Sequence, residues 1–232
     1  MNTSIEILDD RQHQELNIDF NQARRASRKE LIPVVISEFH SLMFHYPIVF
    51  VKNQETGEFA CSILLGVSAE ANLLDQLNLQ NDDDLPLNIR RLPFVSVAPP
   101  AGEDRPLVGI NKTSPGINIG KGEGDYIFKQ QSDAFDVALT ALGELYDGFD
   151  KTKDYVKKVI ELNLVSKLNA EIHSPGKPKH VLEGLYCVDI NKVAQLVSAD
   201  EASKNTFLEI ATYVYAQNFS LYNMKKLAAI AS

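Results

Sequence analysis

Hydrophobic and polar positions change their period close to residue 132, and strand-like alternation returns from Leu164 to Val188. Before residue 132, short β-branched and aromatic runs are separated by polar turns; after it, apolar residues return every three or four positions. Leu31–Phe50 carries the first strong core signal. Within it, Ile32-Pro-Val-Val-Ile is β-branched and Ser37–Met43 suits a short helix. His45-Tyr-Pro-Ile-Val-Phe-Val reads as a strand, with Pro47 near its beginning, where proline is tolerated. Phe59–Val67 returns across a turn at Thr56-Gly57, which predicts a β-hairpin. Leu92–Ala98 and Arg105–Asn111 predict two more strands, and the glycine-rich stretch from Gly109 to Gly124 predicts a loop. From Ser132 onward, Phe135, Leu139, Leu142, Tyr146, Phe149, Val156 and Val159 follow helical spacing, with Gly143 and Gly148 as points where a long helix bends or divides. Leu164–His173 and His180–Val188 predict paired strands about a turn at 174–179. Asp189–Val197 suits a short helix. Ser198-Ala-Asp-Glu then places an N-cap before a last helical region ending near Ala229.

Strands and helices do not alternate, so the pattern predicts an α+β body, not a doubly wound sheet. The expected organisation is a polar N-terminal arm over residues 1–30 and one α+β domain over residues 31–232. Its N-terminal half should be β-rich, built from antiparallel hairpins, and its C-terminal half helix-rich. An apolar content of 44% leaves room for a core without disulfide or metal staples.

Charge narrows the partners. With 23 basic and 31 acidic residues the net charge is −8, which argues against generic binding to nucleic acid or anionic lipid. The longest apolar candidate, Phe207–Leu227, is interrupted by Glu209, Gln217, Asn218 and Asn223, so no membrane insertion is expected. The first ten residues lack the basic and apolar regions of a signal peptide, and the expected location is the cytoplasm. Cys61 and Cys187 both sit in apolar runs and read as buried, reduced thiols, poor nucleophiles in their neutral form.

The chemistry-bearing strings are few. Gly120-Lys-Gly-Glu-Gly124 lacks the glycine spacing of a dinucleotide fingerprint and the lysine–hydroxyl pair of a phosphate loop, and its acids would repel phosphate. The histidines match no zinc spacing; His13-Gln-Glu15 has an H-x-E form but lies in the polar arm. No G-x-S-x-G elbow occurs. No metal, cofactor or catalytic residue is therefore expected. Arg90-Arg91, just before an apolar strand, can take a carboxylate or phosphate bidentately, or pair with the acidic run Asp82–Asp84. His45 and Tyr46 offer a polar approach to an apolar strand, and Asp189 is a further candidate contact.

His45-Tyr-Pro-Ile-Val-Phe, Ile89-Arg-Arg-Leu-Pro-Phe, Glu183-Gly-Leu-Tyr-Cys-Val-Asp and the closing Tyr213…Gln217-Asn-Phe219…Leu227 occur in the order found in the SapC family of bacterial proteins, which the chain resembles over roughly residues 30–230. Gly124-Asp-Tyr-Ile-Phe-Lys-Gln-Gln-Ser only partly matches the acidic Leu-Phe-rich segment usual in the family. The resemblance implies a surface-layer-named protein of proteobacteria, found beside TonB-dependent receptors, flavin-dependent halogenase-like proteins and cupin-like oxygenases; it brings no established catalytic residues. It implies a non-enzymatic binding or accessory protein of an uptake or surface-associated pathway. Such a protein would recognise a partner from a receptor-linked or halogenase-like pathway, or a small anionic ligand, through His45, Tyr46, Arg90, Arg91 and Asp189. The alternatives are a metal-dependent oxygenase or hydroxylase-type modifier and a structural surface-layer component, with oligomerisation left open.

Overall fold

A computed structural model describes residues 4–68, 70–76, 84–102, 104–120, 124–130, 132–172 and 180–231. The protein is α+β. The first half of the chain runs β1 (Ile5–Ile7), β2 (Leu16–Ile18), α1 (Phe20–Arg25), β3 (Leu31–Pro33), α2 (Phe39–Leu42), β4 (Ile48–Lys52), β5 (Phe59–Leu64), α3 (Leu87–Arg90), β6 (Phe94–Val97), β7 (Leu107–Asn111), β8 (Ile117–Ile119) and β9 (Asp125–Tyr126). It continues with α4 (Asp133–Glu161), β10 (Val165–Lys167), β11 (Ala170–Ile172), β12 (His180–Leu182), β13 (Leu185–Val188), α5 (Ile190–Gln195), α6 (Glu201–Ser220) and α7 (Met224–Ile230). The expected turn over 174–179, residues 121–123 of the glycine-rich run, and Asp82 and Asp83 lie outside the described residues.

The chain packs as two compact units, each built from two stretches: residues 1–27 with 78–146, and residues 28–77 with 147–232. The first unit holds two antiparallel three-stranded sheets, ordered β1-β7-β6 and β8-β2-β9. Residues 4–27, read as an arm, supply β1, β2 and α1. Their short alternation suffices because Leu16 and Ile18 on β2 and Phe20 on α1 join Phe94, Ile110, Ile127, Ala138 and Leu142 in one cluster. Ser132 opens α4: its Oγ accepts from the Phe135 N–H at 3.2 Å.

The second unit is a five-stranded antiparallel sheet ordered β10-β13-β4-β5-β3. The predicted hairpin is β4–β5, paired from Ile48↔Ile63 to Lys52↔Phe59. Ile48, Val49 and Phe50 are buried on both faces, as a central strand requires. Tyr155 on α4 stacks edge-on against Phe39 at 5.6 Å and Tyr213 at 5.9 Å, filling the core. A polar line runs through it. Tyr155 OH donates to Gln217 Oε1 at 2.9 Å, Ser220 Oγ donates to Gln217 O and accepts from Ile48 N, and Asn223 Nδ2 donates to the Met43 carbonyl at 2.7 Å. Two of these bonds satisfy backbone groups of one segment, the Met43 carbonyl at the end of α2 and the Ile48 N–H at the start of β4.

α4 is a single 29-residue helix, undivided at Gly143 and Gly148. Gly148 instead marks a close approach. A Cβ there would lie 2.8 Å from Val35, and Thr152 one turn later accepts from the Ile36 N–H at 3.0 Å. Asp200 caps α6 through the Ser203 N–H, as its sequence signal predicts. Among the described residues no helix is long and apolar enough to cross a membrane.

Candidate functional site

The sequence candidates land in both units. His45 and Tyr46 lie just before β4 in the second unit, with ring centroids 6.1 Å apart. Tyr46 is fully buried and His45 half-buried. The C-terminal helices clamp this segment: Lys226 Nζ donates to the Phe44 carbonyl at 2.8 Å and Asn223 Nδ2 to the Tyr46 carbonyl at 3.3 Å. Asp189 caps α5. Its Oδ2 accepts from Ser166 Oγ at 3.0 Å and its Oδ1 from the Asn191 N–H at 2.9 Å, and these bonds hold its carboxyl below the usual range. Three of the four family strings meet here, because β13 pairs with β4 through Tyr186↔Phe50 and α6 packs on both strands.

Arg90 and Arg91 belong to the first unit. Arg90 Nε donates to the Leu85 carbonyl, while Arg91 donates to Asn88 Oδ1 from Nε and to the Phe94 carbonyl from Nη1. Burial lowers the Arg91 pKa. Both guanidinium groups thus bind the chain around α3 and the start of β6. The thiols are poorly placed for nucleophilic work: burial pushes the Cys61 thiol far up, and burial with the nearby Asp189 raises that of Cys187.

What the sequence did not mark is a cleft in the first unit. β2 is followed by Asp19, which caps α1 by accepting from the Gln22 N–H at 2.9 Å. One turn on, Arg24 is only 4% exposed and lines the cleft. Opposite Ile18 in the sheet stands Asp125, whose Oδ2 accepts from Ser132 Oγ at 2.9 Å. That serine precedes Asp133 in the first turn of α4. Residues 18–24 and, some 110 residues later, residues 124–137 thereby line an open cleft of about 320 Å³. Its charged lining is Asp19, Asp125, Asp133 and Arg24; its apolar wall includes Phe20 and Val137.

Two glycines of the predicted loop make this junction. A Cβ on Gly116 would lie 2.4 Å from the Asp19 carbonyl, and one on Gly124 would lie 2.6 Å from the Ile18 backbone and 2.7 Å from Asn17 Oδ1. Both residues have positive φ. The glycine-rich stretch therefore lets backbone approach backbone at the cleft, and it forms β8 and β9 against β2 where a loop was expected. Asn17, fully buried, donates through Nδ2 to the Gly124 carbonyl at 2.9 Å, while its Oδ1 has no donor among the described residues. Among those residues no group of three or more His, Cys, Asp or Glu could hold a metal.

An acidic α+β protein with a small, carboxylate-rich cleft is the class these features define. The SapC family model matches residues 8–227, and the chain belongs to that family. No curated protein and no solved structure shows significant similarity to it.

Proposed function

We propose that this protein is a non-catalytic binding component, serving an uptake or surface-associated pathway, whose first unit takes a small organic cation. The observation that carries the reading is the cleft's charge: three carboxylates against one guanidinium around a partly apolar cavity of about 320 Å³. A cavity near the low end of the ligand-pocket range of roughly 300–1,000 Å³ suits a small molecule. An amine at the Asp19–Asp125 rim with its apolar part against Phe20 and Val137 satisfies both kinds of lining. The sequence pointed to an anion at Arg90 and Arg91; the cleft's charge balance favours the opposite sign. Support for a binding role over turnover is that the reactive side chains serve the architecture. Asp189 caps a helix, Cys61 is sealed as a thiol, and Tyr155 is tied to Gln217.

The test is an amide-shift titration of the full chain with phenethylammonium. Shifts should concentrate at Ile18, Phe20, Gly124 and Ala134, and the amine should be recovered chemically unchanged. Shifts scattered over the second unit, or conversion of the amine, would overturn the proposal.

A further inference from the structure

α6 is apolar on two faces, and only one is covered. Ile210, Val214 and Gln217 face the core, buried to 3% exposure or less. On the outer side Leu208 is 69% exposed, Tyr215 43%, Phe219 68% and Tyr222, in the turn after α6, 73%. A helix apolar all round is normally buried all round. With Thr212 these residues step by four, three, four and three, the seam spacing of a two-helix coiled coil. Glu201 and Asn205 extend the same seam to the N-terminus of α6, and beyond its C-terminal end the exposed Lys225 follows at the start of α7.

We infer that a second copy of this chain covers this face, with the two α6 helices antiparallel about a two-fold axis between Thr212 and Tyr215. That axis makes the seam self-complementary in every layer. Thr212 meets the partner's Tyr215 at the centre, Leu208 meets the partner's Phe219 on either side, and Asn205 then faces the partner's Tyr222. At both ends acidic Glu201 lies toward the partner's exposed Lys225, while Lys226 holds the Phe44 carbonyl of its own chain. Opposite charges close each end, and each acid sits at the positive end of its own helix dipole. A parallel pair would instead stack Glu201 on Glu201 and lysine on lysine, a like-charge arrangement that is disfavoured.

Area agrees. Phe44, 64% exposed, adjoins the C-terminal end of the seam, because its carbonyl accepts from Lys226. Taking about 200 Å² for a full aromatic side chain, the five exposed residues offer on the order of 600 Å² per copy, or roughly 1,200 Å² for the pair. That reaches the lower bound of roughly 1,200 Å² for stable specific interfaces before any polar rim is added. An uncovered apolar patch of this size stands at the upper end of the roughly 300–600 Å² that monomers leave exposed.

Sedimentation velocity of the full chain tests the inference. Its 25.8 kDa mass should double at tens of micromolar. Leu208→Glu with Phe219→Glu should restore the monomer while leaving the circular dichroism spectrum unchanged, since both side chains are exposed in the single chain; the melting temperature should lose its dependence on protein concentration. In a Cys187→Ser background, mixing Leu208→Cys protein with Phe219→Cys protein should give a cross-linked pair that neither forms alone. A wild-type monomer at 100 μM, a dimer that survives both glutamates, or cross-links within either single-cysteine protein would overturn it.

Discussion

Replacing Gly148 by alanine and comparing it with Gly143→Ala isolates the contact that seats α4 in the second unit. Both glycines lie inside one helix, and in a helix interior alanine is favoured over glycine by about 1 kcal/mol. Gly143 has nothing within 4 Å of an added Cβ, so its alanine should gain most of that amount. At Gly148 the added Cβ meets Val35 at 2.8 Å on two atoms and 3.2 Å on a third. The segment cannot retreat cheaply, because the Ile36 N–H donates to Thr152 Oγ1, which itself donates to the Gly148 carbonyl at 2.7 Å. Overpacking by one methyl in such a site costs about 1–3 kcal/mol. Gly148→Ala should therefore be neutral to about 2 kcal/mol destabilising, leaving a gap of about 1–3 kcal/mol between the two alanines. Urea unfolding followed by circular dichroism reads that gap, as does a melting-temperature difference of roughly 3–10 °C. In a Val35→Ala background the penalty at 148 should shrink, the non-additivity expected of touching residues. If Gly148→Ala stabilised as much as Gly143→Ala, the close approach would be refuted.

Tyr155→Phe should cost about 1–3 kcal/mol, because it strands the buried Gln217 Oε1; a melting curve unchanged within error would show that the polar line carries no stability. Alkaline stability should fall in stages. The folded pKa values of Cys61 and Tyr155 are raised by burial, so their stabilisation is complete below the unfolded values and is lost as pH rises above about 8.5 and then 10. Each group contributes a slope of about 1.4 kcal/mol per pH unit, and Cys61→Ala should reduce the earlier one, to which the raised Cys187 thiol also contributes; an unaltered profile between pH 8.5 and 10 would contradict this. Gly124→Ala should distort the cleft, since its Cβ would press into the Ile18 backbone; crosspeaks of Ile18 and Asp125 that stay in place would count against that reading.

Local signals were legible where they are local in space. The β4–β5 hairpin follows from two β-rich runs about Thr56-Gly57, and the start of α6 from Asp200 ahead of a periodic segment. The cleft was not legible, because Asp19, Asp125 and Asp133 come together only through β2 pairing with strands about 100 residues away. Buried Asn17 and Arg24 also look like surface positions in a sequence, which gave residues 1–30 the look of an arm. Arg90 and Arg91 drew attention as anion binders. Their acceptors include the carbonyls of Leu85 and Phe94, and a backbone oxygen leaves no trace in residue type. Gly148 read as a helix breaker because glycine's low propensity is visible in sequence, whereas the side chain packed against it is not.

Calorimetric titration of the full chain with two probes that share a phenethyl body and differ in the sign of the head group, phenethylammonium and 3-phenylpropanoate, goes most directly to the cleft's preference. The ammonium should bind about tenfold tighter or more, the ratio expected if each rim carboxylate contributes up to about 1 kcal/mol. Asp19→Asn with Asp125→Asn, which keeps both the helix cap and the acceptor for Ser132, should bring the two probes toward equal affinity. Tighter binding of the carboxylate probe, or a preference for the ammonium that ignores both asparagines, would contradict the account.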